Sequence, residues 1–196
     1  MRGESLAPPA STLRTMRRLA SLAALFVLAS CGGGEETAGG AADLPGPVPD
    51  GVEFVTPPAS ALAAPDFSAE LIDGTPVTAS DLWRDRPVVL VFTASYCDRC
   101  KEIHRTAAEA VDAHDGAIGL LGVVGEDDVD GGRDYADELD LGHPLAVAGE
   151  RVWLDYAARE PGLVVLVARR GKVLRGWPGG ASAVQLRARL DELIAR

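Results

Sequence analysis

Pro87-Val88-Val89-Leu90-Val91-Phe92-Thr93-Ala94-Ser95-Tyr96-Cys97-Asp98-Arg99-Cys100 is the stretch on which the fold turns. Val88–Thr93 reads as a short strand whose near-continuous apolar character suits burial on both faces. Residues 98–113 read as a helix, with Ile103, Ala107, Ala110 and Val111 at helical spacing. The C-x-x-C pair therefore falls where a strand turns into a helix. Free backbone N–H groups and the helix dipole at that point stabilise a thiolate on Cys97. The thiolate is the nucleophile in thiol–disulfide chemistry. Cys100, at i+3 and deeper, is placed to attack Cys97 in turn and release a bound partner. Arg99 favours the Cys97 thiolate and Asp98 opposes it, so these two residues leave the redox potential open.

Other readings of the pair stand beside this one. An inert disulfide is one. A metal site is another, for a copper or zinc chaperone using Cys97, Cys100 and His104. A structural zinc site takes four ligands, and His114 and His143 stand isolated in the sequence. His104 therefore reads more simply as a solvated helix residue. A non-catalytic adaptor that only binds partners is the third alternative.

Outward from the pair, Phe67–Leu71 and Pro76–Thr78 flank Asp73-Gly74 as a β-hairpin. Ala117–Val124 is a second buried strand. Gly125–Gly132 reads as a loop, followed by a helix with Tyr135 and Leu139 on one face. Pro144–Val147 is a short strand and Arg151–Ala158 a helix. Leu163–Ala168 and Val173–Trp177 form a hairpin. Ser182 and Gln185 form a capping box before a last helix with Leu186, Leu190, Leu193 and Ile194 inward. This order implies an α/β fold, a central mixed β-sheet flanked by helices, with an N-terminal β-hairpin extension.

The third cysteine, Cys31, lies outside that unit. Leu19–Leu28 is a ten-residue apolar segment behind Met16-Arg17-Arg18. It is too short to span a bilayer, which takes about 20 residues. A basic front, a short apolar core and small residues at its end make a signal peptide. Met16 is a plausible true start. Residues 1–31 read as a lipoprotein signal ending at a lipidated Cys31, with an ordinary secretory signal as the alternative. Residues 32–63, rich in Gly, Pro and Ala and without period, read as a disordered linker. The folded domain is expected over residues 64–196. An export signal implies an oxidising compartment, where disulfides persist.

The chain carries 19 Lys and Arg against 29 Asp and Glu, a net charge of −10. The first 31 residues are basic, with four Arg and one Glu, so the remainder is more acidic still, at −13. An acidic body argues against nucleic-acid binding through a basic patch.

Ala64-Pro65-Asp66-Phe67, Asp73-Gly74-Thr75-Pro76-Val77, Leu82, Pro87–Phe92 and Cys97-Asp98-Arg99-Cys100 follow one another as in thioredoxin-like proteins of the TlpA/ResA type. The chain resembles the AhpC/TSA and redoxin group. Tyr156–Pro161, Leu163–Val167 and Gly171-Lys172-Val173 resemble that group's cis-proline segment and terminal hairpin. The resemblance implies a thioredoxin fold and an extracytoplasmic thiol–disulfide oxidoreductase, usually a reductant. It implies that Cys97 attacks, Cys100 resolves, and a cis Pro161 shapes the substrate groove. It suggests Glu126 as a proton carrier for Cys100, provided that burial raises its pKa; a solvated loop acid is the alternative. No organic cofactor is implied. The expected partners are exported protein thiols and disulfides, a membrane electron donor and, through the anchor, the membrane itself, with the protein a monomer. Five positions depart from the family pattern: Tyr96 for Trp, Arg99 for Pro, Val91 for a buried Asp, Gly162 for Thr, and Glu160 as a carboxylate before Pro161.

Overall fold

Alternate residues of a strand face opposite sides of a sheet, and the apolar run divides in this way. The computed structural model describes residues 37–195. Strand β3 (Val88–Phe92) sends Val88, Leu90 and Phe92 into one core layer and Val89 and Val91 into the other. All five are buried, which is why the run shows no polar alternation.

The elements on the chain are β1 (Ser68–Leu71), β2 (Pro76–Thr78), α1 (Ala79–Leu82), β3, α2 (Asp98–Asp112) and β4 (Gly119–Gly125). They continue with α3 (Val129–Leu139), β5 (Leu145–Ala148), α4 (Glu150–Asp155), β6 (Leu163–Ala168), β7 (Lys172–Trp177) and α5 (Ala183–Asp191). The seven strands form one sheet in the order β2-β1-β5-β4-β3-β6-β7. β3, β4 and β5 run parallel, and β6 lies antiparallel to β3. This is the expected α/β architecture with a mixed sheet. The hairpin β1–β2 extends one edge, pairing Ala69 with Val77 and Glu70 with Val147.

Helices α2 and α5 cover one face through Ile103, Ala107, Val111, Leu186 and Leu190, packed on Val89, Val91, Val164 and Leu166. The other face buries Phe67, Trp83, Leu90, Phe92, Val123 and Val165, with Trp153 and Tyr156 against them. The capping box forms as expected: Ser182 Oγ accepts from Gln185 N at 3.3 Å, and Gln185 Oε1 accepts from Ser182 N at 3.1 Å. Helix α3 begins at Val129, inside the stretch Gly125–Gly132 expected as a loop; a Cβ on Gly131 would collide with Ser95 and Asp128, so that position is glycine for packing and not for a turn.

Two expectations are corrected here. The first concerns residues 32–63, expected to be a disordered linker. Within the described part, residues 37–63 run along the domain as a bonded strap. Leu145 N donates to Gly39 O at 2.7 Å, Ala41 N to Asp73 Oδ2 at 2.8 Å, and Val55 N to Leu193 O at 2.8 Å. Ala195 N donates to Glu53 O at 2.8 Å and Val173 N to Leu62 O at 2.9 Å. Arg86, 6% exposed, reaches the carbonyls of Gly46 and Gly116. The strap enters these bonds through its own backbone groups, so it needs no side-chain period. It also shields the β7 edge, where an unpaired strand invites foreign pairing.

The second correction is His104. It is fully buried in α2, not solvated. Cys31 and the signal segment lie outside the described residues. Among the described residues no helix is long and apolar enough to cross a membrane.

Candidate active site

Cys97 is the N-cap of α2, with extended backbone at φ −104°, ψ 90°. Its Sγ accepts from Cys100 N at 3.2 Å, a capping bond from an N–H that also donates to Cys97 O at 2.9 Å. Cys97 and Cys100 are joined as a disulfide, their Cα atoms 5.2 Å apart. The two sulfurs are not equivalent. Cys97 is half-buried, whereas Cys100 faces the core at 0% exposure. A partner therefore reaches Cys97 first.

The charged residues around the pair do not converge on it as the sequence suggested. Asp98 and Glu160 are exposed. Arg99 turns across to the 178–180 turn and donates to Gly179 O at 2.8 Å. Its cation is thereby committed to a backbone carbonyl.

Gly162 explains its own departure from the family pattern. Its φ is +99°, a conformation that a residue with a Cβ adopts only under strain. Its N–H donates to Phe92 O at 2.6 Å. A Cβ would lie 3.1 Å from Ile103 Cδ1 and 3.8 Å from Cys100 Sγ. Glycine thus keeps the buried sulfur's neighbourhood open.

A groove of about 640 Å³ adjoins the pair, and Tyr96, Pro161 and Glu126 all line it. Thr93 and Trp153 form part of its wall, and the indole Nε1 of Trp153 has no hydrogen-bond partner. Tyr96 (79% exposed) and Leu154 (63% exposed) present apolar surface at the groove. Glu126 is exposed, beside Gly149, so the burial on which its expected proton role depended is absent.

Beneath the pair lies a polar cluster that sequence reasoning missed. Tyr135, from α3, is 1% exposed. Its hydroxyl donates to Cys100 O at 3.3 Å, accepts from Thr93 Oγ1 at 2.9 Å, and lies 3.1 Å from His104 Nδ1. A phenol has one proton, and a carbonyl only accepts. With that proton on Cys100 O, His104 must donate from Nδ1. Its Nε2 is then an unprotonated lone pair, buried without a partner beside Gly122. Burial, with a smaller effect from His143, lowers the His104 pKa to about 3. Burial raises that of Tyr135 to about 12, opposed in part by the Thr93 bond. The imidazole is neutral at physiological pH and packs against Gly122, while Cys100 Sγ lies by Gly162. The ligand set proposed for a metal is not brought together, and no group of three candidate ligands occurs among the described residues. The signal for this burial was available: His104 follows Cys100 at i+4, in phase with Ile103, Ala107 and Val111.

Comparison with known proteins agrees with this geometry. The AhpC/TSA family matches residues 61–173, more than half of the chain. No curated protein matches significantly by sequence. Among solved structures, a Bacteroides thetaiotaomicron protein described as a disulfide isomerase is similar at TM-score 0.61 and 24% identity, over 73% of this chain and 93% of that one. A secreted disulfide oxidoreductase of Mycobacterium tuberculosis is similar at TM-score 0.55 and 19% identity, over 64% and 94%. An exposed lipoprotein thioredoxin of Streptococcus pneumoniae is similar at TM-score 0.56 and 23% identity, over 66% and 100%. The chain belongs to the AhpC/TSA family, and its Cys97–Cys100 pair sits on the thioredoxin-like fold of the thiol–disulfide oxidoreductases.

Proposed function

We propose that this chain is an extracytoplasmic thiol–disulfide oxidoreductase, anchored through a lipid on Cys31, that exchanges disulfides with exported proteins. The observation that carries the reading is the asymmetry of the pair. Cys97 caps a helix N-terminus at the surface, and Cys100 is sealed one turn behind it. Such a helix end lowers a thiol's pKa and favours its thiolate.

In the reductive direction, the Cys97 thiolate attacks a substrate disulfide. A Cys97–substrate bond forms, the substrate disulfide breaks, and one substrate sulfur leaves as a thiolate. Cys100, as thiolate, then attacks Cys97 Sγ. The mixed disulfide breaks and the second substrate sulfur leaves. Two electrons have passed to the substrate, and the pair ends as the Cys97–Cys100 disulfide. A membrane electron donor returns it to the dithiol. Pro161 and the apolar rim at Tyr96 and Leu154 form the wall against which a substrate chain lies. Glu126 lines the same groove as an exposed carboxylate, open to solvent and to a bound chain. The protein works as a monomer, without nucleic acid.

The place of action rests on the signal-like segment before Cys31. The Streptococcus pneumoniae structure, described as an exposed lipoprotein, offers a parallel.

Cys97→Ala is expected to abolish exchange with a reduced or oxidised protein substrate. Cys100→Ala is expected to accumulate a mixed disulfide at Cys97. Normal turnover in Cys97→Ala protein refutes the chemistry. Cys31→Ala is expected to move the mature protein out of the membrane fraction, and unchanged membrane retention refutes the anchor.

A further inference from the structure

One stretch of chain grips the active-site segment at several points. Asp128, immediately before α3, accepts Ser95 N at 2.6 Å and Ser95 Oγ at 2.5 Å. Ser95 stands two residues ahead of Cys97. Tyr135, farther along α3, donates to the carbonyl of Cys100. Glu138 pairs with Lys101 at 2.6 Å. Residues 95, 100 and 101 are thus held from residues 128, 135 and 138.

Other residues are fitted to these links. A Cβ on Gly131 would collide with Ser95 and with the Asp128 carboxylate, so glycine is what lets the Asp128–Ser95 fork close. Thr93 and His104 both donate to the Tyr135 oxygen, which leaves its single proton directed at Cys100.

We propose that Asp128 and Tyr135 are positioning residues for disulfide closure, holding the two sides of the pair so that the reduced sulfurs stay in the geometry of the disulfide. This rests on the oxidoreductase reading above. Closing the disulfide is an intramolecular step, and its equilibrium follows the effective concentration of one sulfur at the other. The oxidised pair is held by its own S–S bond. The reduced pair is held only by its surroundings. Loosening the clamp gives the dithiol more conformations and leaves the disulfide form unchanged, so closure becomes less favourable and the pair a stronger oxidant.

The test uses Tyr135→Phe and Asp128→Asn in the full chain, equilibrated with reduced and oxidised glutathione. Oxidised glutathione supplies the two-electron acceptor: Cys97 takes one glutathione sulfur and frees the other, then Cys100 displaces the bound one. The two steps are quantified separately by acid trapping and mass spectrometry. Loss of one hydrogen bond should lower the closure constant by about threefold to tenfold, with less change in the first step. A tenfold fall corresponds to about 30 mV toward a more oxidising pair. Ser95→Ala, which keeps the backbone bond to Asp128, should shift closure in the same direction by about twofold and guards against variants that do not fold.

Wild-type closure constants in all three variants overturn the clamp. So does an equal loss of stability in oxidised and reduced forms, the outcome of a purely structural contact. A wild-type pair that does not exchange with glutathione at all overturns the oxidoreductase reading, and the clamp with it.

Discussion

The buried imidazole of His104 makes the stability of this protein depend on pH in a calculable way. In the fold its pKa is about 3, lowered mainly by burial; in the unfolded chain it returns to about 6.5. A lowered folded pKa on a base means that the unfolded state binds the proton first. Above pH 6.5 both states are neutral, and stability is at its full value. As pH falls from 6.5 toward 3, the unfolded state gains one proton that the fold refuses, and stability declines by up to ~1.4 kcal/mol per pH unit. Moving from pH 7.5 to pH 5 therefore removes ~2 kcal/mol, or roughly 4–8 °C in Tm for a unit of this size. Groups facing the ring are the neutral Tyr135 hydroxyl and, farther off, His143, so no carboxylate is at hand to offset the charge. His104→Asn keeps a donor toward Tyr135 and removes the titration. Denaturant unfolding of the two oxidised proteins between pH 5 and 7.5 should show a steeper decline in the wild type, by nearly one proton at the acid end. Parallel pH profiles for wild type and His104→Asn would refute the reasoning.

Two further outcomes follow from local geometry. Gly162→Ala places a Cβ at φ +99° and against Ile103, so unfolding by denaturant should show a loss of about 1–2 kcal/mol; an unchanged midpoint would contradict the backbone argument. Removing residues 1–63 strips the strap from Leu145, Leu193 and Val173, and should lower Tm and raise the tendency to associate through the bared β7 edge, as read by calorimetry and light scattering. A truncated protein as stable and monodisperse as the full chain would show that the strap contributes nothing.

Much of the architecture was legible because local signals agreed with the global pattern. The apolar run at Val88, the Asp73-Gly74 turn and the Ser182–Gln185 box each specify their element without help from distant residues. The pair's position was legible for the same reason: the strand, turn and helix that place Cys97 are consecutive in sequence. What escaped was non-local. Residues 37–63 carry Pro, Gly and Ala because their bonds come from backbone groups, and backbone leaves no periodic mark. His104 looked like a surface residue by type, since only contact with Tyr135 and Gly122 makes its burial tolerable. The exposure of Glu126 depends on how the Glu126–Asp128 turn leaves β4, which the sequence of that loop does not specify. Asp128 takes its meaning from Ser95, 33 residues away in the chain, a contact that no local pattern in the loop marks.

The central claim is that Cys97 attacks and Cys100 resolves, and competitive alkylation of the reduced pair tests it most directly. Limiting iodoacetamide at neutral pH, followed by peptide mass analysis, reports which sulfur reacts first. The half-buried, helix-capping Cys97 should take nearly all of the label while Cys100, at 0% exposure, stays unmodified. Equal labelling of the two cysteines, or preferential labelling of Cys100, would contradict the account.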